Sequence, residues 1–323
     1  MLDASVRTEI IETLLSKLRD LYVFPEIALQ MEAAVRQHMH DGAYDDCTEG
    51  AAFAQRLTEH LRVVCHDLHL EVFYVEREAL TREEERYEQI KLGEVQHFGF
   101  YKVERLAGNI GYLDIRALYA PDLAGEVAVA AMNFVADTYA LIIDLRLNHG
   151  GSPEMIALLC SYLLPTRPVH LNTIYWRVPE RADQFWTLPY VPGKRYLEKP
   201  VYVLTSSETF SGAEELAYNL KNLKRATLIG ETTRGGAHPG RIHRLNPHFS
   251  VYIPSGRSIN PITGTNWEGS GVSPDIAVPR MAALTTAHRL ACQHMLAISQ
   301  TLPLKACEAL HKEVQDVWPD VIQ

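Results

Sequence analysis

Through residues 1–75 the apolar positions recur at three- and four-residue steps. Val6, Ile10, Leu14 and Leu18 form one stripe, widened by Ile11 and Leu15 and broken at Pro25. That spacing predicts a helix with one buried face. Ala28, Met31 and Val35 mark a second helix, and Phe53, Leu57, Leu61 and Val64 a third. LEVFYV at 70–75 reads as a short strand, and the charge-dense run 76–94 as a solvated connecting segment or surface helix. The period then changes. A hairpin is predicted with its turn near Gly108-Asn109, followed by a helix over 122–137, a β-branched strand over 140–145 and a helix from Pro153 to Leu164. Residues 166–199 carry Tyr175, Trp176, Trp186 and Tyr190 among prolines, and fit either a β-excursion or a substrate-facing loop. Strand 200–206, helix 212–223, strand 225–231 and a β-rich stretch to 278 resume the alternation, and 281–298 is a further amphipathic helix. Strands alternating with helices predict right-handed crossovers and a largely parallel sheet. The expected partition is a helical domain at 1–75, a connecting segment at 76–94, an α/β core at 95–285 and a helical tail at 286–323.

Composition narrows the class. The chain has 323 residues, 47% of them apolar and 22% charged, which is enough to build a sizeable core. Its net charge of −9, with no stripe of Lys or Arg, offers a phosphate backbone no footprint and argues against a nucleic-acid partner. No apolar run reaches the ~18 residues of a membrane span. The opening MLDASVRTEIIETLLSKL mixes charges into its apolar pattern and has no leader core, so a cytoplasmic chain is expected unless an export signal was removed. Cys47, Cys65, Cys160, Cys292 and Cys307 are odd in number and show no C-x-x-C spacing, which excludes a zinc ribbon and argues against a disulfide framework. Cys160 and Cys292 lie in apolar helical runs and read as buried, inert thiols.

Three strand-to-turn junctions carry residues that packing alone does not require. Asp144-Leu-Arg-Leu-Asn-His-Gly-Gly151 ends a buried strand in a double glycine. It reads either as a tight connection capped by Ser152 or as a place where a backbone N–H approaches a ligand oxygen. At the second junction Ser211 opens a helix; Ser211-Gly-Ala-Glu214 is a capping-box signature, and a nucleophilic serine there would have free N–H groups beside it. The third, Gly230 to Gly240, is glycine-rich without the G-K-[ST] of a phosphate-binding loop, and its His238 is not explained by backbone needs. His69 stands in Cys65-His-Asp-Leu-His-Leu70, between helical region and strand. His66-x-x-His69 has no third ligand at a sensible spacing, so no metal is expected. Glu268, between Trp267 and glycines, reads as a structural partner or as the acid that orients a base.

Four of these motifs occur in order: D-L-R-x-N-x-G-G at 144–151, T-x-S-G-A-E-E at 209–215, G-E-T-T-x-G-G-A-H-P at 230–239 and N-W-E-G-x-G-V-x-P-D at 266–275. Together they resemble the tail-specific (C-terminal processing) serine peptidase family, and within it the branch related to interphotoreceptor retinoid-binding protein and the tricorn core protease. The resemblance covers residues 10–280 and includes the D-x-H element at Asp67–His69. It implies an α/β core similar to the crotonase and Clp-protease spiral, preceded by a helical domain. By position it implies Ser211 as nucleophile, His69 as general base, Glu268 as the carboxylate completing a tetrad, and the amides of Gly212, Gly150 and Gly151 as the oxyanion hole. The chain departs from relatives of the Ser–Lys type, because Gly236 stands where they carry the lysine. It departs from tricorn too, since Leu68 replaces the serine that links histidine to glutamate; Asp67 is then the second candidate orienter, and His238 a further candidate site residue. No segment is long enough for the ~90-residue PDZ insertion of many relatives, so tail capture by β-augmentation is not expected.

The resemblance implies hydrolysis of peptide or protein substrates through a Ser–His(–Glu) acyl-enzyme, with no cofactor. Two other readings remain open from sequence. One is a non-catalytic carrier of retinoid- or fatty-acid-like ligands, with 166–199 lining an apolar pocket; the other is a pathway-specific acyl hydrolase.

Overall fold

The computed structural model describes residues 2–76 and 80–321. Residues 77–79 of the predicted connecting segment, Met1 of the predicted helical domain and the last two residues of the tail lie outside that set. The three predicted N-terminal helices form as α1 (Ala4–Leu21), α2 (Pro25–His40) and α3 (Gly50–Cys65). Asp3 caps α1 by accepting from the Val6 N–H at 2.9 Å, and Pro25 opens α2, where its missing N–H is no loss. The α3 helix ends at His66 in the left-handed conformation, which turns the chain sharply into the loop carrying Asp67 and His69.

The chain then runs through β1 (Glu71–Tyr74), α4 (Arg82–Val95), β2 (Phe100–Leu106), β3 (Ile110–Ile115), α5 (Pro121–Val135), β4 (Ala140–Asp144) and α6 (Pro153–Leu163). The hairpin β5 (His170–Trp176) and β6 (Arg181–Trp186) follows, then β7 (Val201–Thr205), α7 (Gly212–Asn222) and β8 (Thr227–Gly230). The remaining elements are β9 (Gly240–Arg244), β10 (Phe249–Pro254), β11 (Gly256–Ile259), β12 (Ile276–Ala277), α8 (Ala283–Ser299) and α9 (Leu304–Val317). The charged run resolves as α4, a surface helix whose Thr81 and Glu84 form a capping box.

Six strands make the central sheet in the order β12-β8-β7-β4-β3-β2. Its pairs are parallel except β2 with β3. Alternation along β4 sends Leu141 and Ile143 to one layer and Ile142 to the other. The first layer packs on Met132, Met155, Leu159 and Leu216 of α5, α6 and α7. The second packs on Ala287, Ala291 and Met295 of α8. Both faces are covered, which is why these strands read as continuous apolar runs.

The opening helices do not close a core alone. Leu14, Leu18, Met31, Phe53, Leu57 and Leu61 are buried together with Phe249, Val251 and Ile253 of β10. The β1 strand pairs antiparallel with β10, Val72 opposite Val251, and this pairing sews the loop before β1 onto the α/β core. The aromatic stretch resolves as the β-excursion: β5 pairs with β6 on one side and β11 on the other. Tyr175, Trp186 and Tyr190 are exposed, and the open groove at Tyr175 is lined by Arg177, Glu180, Arg181 and Arg257 as well as by Trp176. Among the described residues no helix is long and apolar enough to cross a membrane.

Parallel strands place their carboxyl ends on one edge, where sites form in α/β sheets. Here β4, β7 and β8 are neighbours, so the segments after Asp144, Thr205 and Gly230 meet along that edge.

Candidate active site

Ser211 ends the turn between β7 and α7 with φ 56° and ψ −122°, a conformation few residues other than glycine adopt. The surrounding turn holds it there. Phe210 N–H donates to the Asn148 carbonyl at 3.0 Å, and the Glu214 carboxylate accepts from Ser211 N–H at 2.8 Å. The same buried carboxylate accepts from Thr233 Oγ1 at 2.6 Å, Gly235 N–H at 2.6 Å and Gly236 N–H at 2.9 Å. Burial raises the Glu214 pKa, and these hydrogen bonds pull it back. Glu214, legible in sequence only as a helix cap, thus fastens the glycine-rich loop 230–239 to the serine turn.

Gly150 and Gly151 lie against this turn with φ 102° and 140°. A Cβ on Gly150 would sit 2.6 Å from Gly212 N and 2.8 Å from Ser211 Cβ, and one on Gly151 would overlap the Leu118 carbonyl. The expectation that the Gly150 amide serves an oxyanion is corrected here. Its N–H already donates to the buried Asn148 Oδ1 at 2.8 Å. The N–H groups of Gly151 and Gly212 have no acceptor among the described residues. Gly150→Ala is expected to lower stability by about 1–3 kcal/mol in urea unfolding, and to slow labelling of Ser211 by a fluorophosphonate probe. Labelling at the wild-type rate would contradict this packing.

His69 Nε2 lies 3.0 Å from Ser211 Oγ, across 142 positions of chain. Its ring rests on Phe210, with centroids 4.4 Å apart, and runs nearly parallel to Tyr252 of β10 at 5.8 Å. Arg62 of α3 ties down its loop by donating to the carbonyls of Leu68 at 2.7 Å and Leu70 at 2.9 Å. Burial pushes the His69 pKa down to about 4, only partly offset by the Asp67 charge, so the imidazole is neutral near pH 7.

Two carboxylates stand behind it. Asp67 Oδ1 accepts from His69 N–H at 3.0 Å and lies 4.0 Å from its Nδ1. Asp67 Oδ2 accepts from His238 Nδ1 at 2.9 Å and from the Tyr22 hydroxyl at 3.4 Å. Glu268 accepts from Ala237 N–H and lies 3.5 Å from His238 Nδ1. It makes no hydrogen bond to His69, and Leu68 has no hydroxyl to bridge the gap. Burial works against a charged His238, but the hydrogen bond to Asp67 and the charge of Glu268 outweigh it and raise its pKa. Burial, reinforced by the charge of Asp67, pushes the Glu268 carboxyl up. Asp67, His69 and Glu268 bring ligand-type atoms within 4.8 Å of one another, the only such trio found among the described residues. Hydrogen bonds occupy both oxygens of Asp67 and Oε2 of Glu268, whereas Glu268 Oε1 and His69 Nδ1 have no partner, and His66 takes no part.

Every residue nominated from sequence therefore falls in one cluster. Asn148, Glu214 and Tyr22 join it unannounced. Asn148 and Glu214 stood inside quoted motifs, whereas nothing in the sequence marks Tyr22. A cleft of about 890 Å³ opens on the Gly150–Gly151 side, lined by His97, Phe100, Tyr101, Arg116 and His149 among others.

Residues 109–278 match peptidase family S41, and residues 4–97 match the N-terminal domain of peptidase S41 in eukaryotic IRBP. A carboxy-terminal-processing protease of Bartonella bacilliformis is 26% identical over 180 residues, 54% of this chain and 40% of the relative, so the match spans less than half the relative's length. The fold is shared with a candidate peptidase of Parabacteroides merdae, with a TM-score of 0.61, 17% identity, and 88% of this chain and 96% of that one covered. It is also shared with the tricorn protease, at a TM-score of 0.52, 12% identity, and 87% and 35% coverage. With the family match extending over more than half of its length, the chain belongs to peptidase family S41.

Proposed function

We propose that this chain is a serine peptidase that cleaves peptide or protein substrates through an acyl-enzyme. The observation that carries the reading is the 3.0 Å contact between His69 Nε2 and Ser211 Oγ. In this mechanism Ser211 Oγ attacks the scissile carbonyl carbon as its proton passes to His69 Nε2. The carbonyl oxygen, now bearing the negative charge, is received by the N–H groups of Gly151 and Gly212. The C–N bond then breaks, and His69 returns the proton to the leaving amine. A water molecule, deprotonated by the same imidazole, resolves the ester and frees Ser211. Asp67 orients the imidazole, while Glu268 and His238 hold Asp67 and the loop before Pro239 in place. No cofactor enters any step.

The test is direct. A fluorophosphonate probe is expected to label wild-type protein at Ser211 and to leave Ser211→Ala unlabelled with its fold intact by circular dichroism. Labelling of Ser211→Ala at another serine sinks the assignment. The cleft beside Gly150 and Gly151 sets His97, Arg116 and His149 among its apolar residues, which supports a peptide over a wholly apolar ligand. We also read the core as a spiral of crotonase and Clp-protease type, which the run of parallel strands supports. A cytoplasmic location is supported by five free cysteines.

A further inference from the structure

Beside Ser211 lies a second, much smaller cavity of about 50 Å³, lined by Gly151, Ile174, Ser211, Gly212, Glu215 and Trp267 among others. It adjoins both the nucleophile and the two free amides. Glu215 sits one helical turn beyond Ser211, on the same face of α7. It is 4% exposed, and its Oε1 has no hydrogen-bond partner. Neighbouring Asn172 Oδ1 and Asn219 Nδ2 are likewise unpaired, although both side chains lie near enough to act on the carboxyl, so Oε1 remains the atom open to a further partner. An unpaired polar atom at a buried position is costly and calls for a reason.

We infer that Glu215 is the floor of the pocket for the substrate side chain on the acyl side of the scissile bond (P1), where it selects a small residue bearing a hydroxyl, serine or threonine. The inference rests on the serine-peptidase reading and goes beyond it by naming the substrate class. Size excludes the long side chains: at roughly 10–15 Å³ of such space per water-sized group, the cavity holds on the order of three to five non-hydrogen atoms. Chemistry then separates the small ones. Burial pushes the Glu215 carboxyl up to about 8, against the pull of Asn172 and Asn219, so it is mostly neutral at pH 7. A neutral carboxyl both donates and accepts, and a hydroxyl does the same. A methyl group would leave Glu215 as unpaired as it is now.

The experiment offers the full chain peptides that differ only at P1, with fluorophosphonate labelling of Ser211 followed in parallel. Cleavage after Ser or Thr is expected to exceed that after Ala by about tenfold in kcat/KM, and that after Phe or Arg by about a hundredfold or more. Glu215→Ile is expected to abolish the preference for Ser over Ala while labelling persists, and Glu215→Gln to restore it. Ile174→Ala, which enlarges the same cavity, is expected to raise cleavage after Leu by about tenfold, and it carries the test should Glu215→Ile not fold. A labelled enzyme that prefers Phe or Arg, or a Glu215→Ile variant with an unchanged ratio of Ser to Ala, overturns the pocket assignment and leaves the peptidase reading standing. Absence of both labelling and cleavage overturns the two together.

Discussion

His69→Ala is expected to lower kcat by about 10⁴- to 10⁶-fold, and adding Ser211→Ala to it is expected to cost little more. In the proposed mechanism the two side chains act on one proton, so removing either leaves only what the Gly151 and Gly212 amides and substrate binding supply. That non-additivity separates a working pair from two residues that each merely stabilise the fold, whose effects would multiply. The acid limb of the wild-type pH profile makes a second check. The base works only when neutral, and burial holds His69 down at about 4. Activity is therefore expected to stay level from pH 7 to about pH 5 and to fall by half near pH 4. A limb centred near pH 6.5, the ordinary histidine value, would mean that the ring is solvated or that another histidine is the base.

Asp67→Asn is expected to reduce kcat by about 10²- to 10⁴-fold, and Glu268→Gln by about tenfold or less. The ranking follows from where the carboxylates point. Asp67 binds the His69 backbone at 3.0 Å and faces its Nδ1 at 4.0 Å, close enough for its charge to favour a protonated ring. Glu268 instead spends its oxygen on Ala237 and His238. Without the Asp67 charge, which holds the His69 pKa up against burial, the acid limb of Asp67→Asn should move below that of wild type. A purely structural role for Asp67 would lower activity without moving the limb. The reverse ranking of the two variants would restore Glu268 as the orienting acid.

Element identity was largely legible along the chain. The stripes through Val6–Leu18, Ala28–Val35 and Phe53–Val64 became α1, α2 and α3, and the β-branched run at 140–145 became β4, because burial of one face or of both imposes a period on sequence. Motif order also located the serine, the histidines and the glycines. Less was visible wherever one residue serves two elements. Glu214 carries a cap signature, but its bonds to Thr233, Gly235 and Gly236 come from a loop about twenty positions away. Gly150 reads along the chain as an amide donor to an oxyanion, whereas in the fold Asn148 Oδ1 takes its N–H. The aromatic run 166–199 has no clear period, because β5 is buried on both faces through Leu171–Ile174 while β6 is mostly exposed, and the partner strand β11 is distant in sequence.

The sequence by itself determined which residues could do chemistry: a serine opening a helix, a histidine after a helical region, two carboxylates and a glycine pair. Local chemistry sets those assignments, since caps, turns and apolar periods act over a few residues. Only the tertiary structure decided which of them meet. The β1–β10 pairing brings His69 to Ser211, and the adjacency of β4, β7 and β8 aligns the glycines with the serine. Such contacts depend on strand order and register, which are set by the whole buried surface and leave no mark at the residues they join.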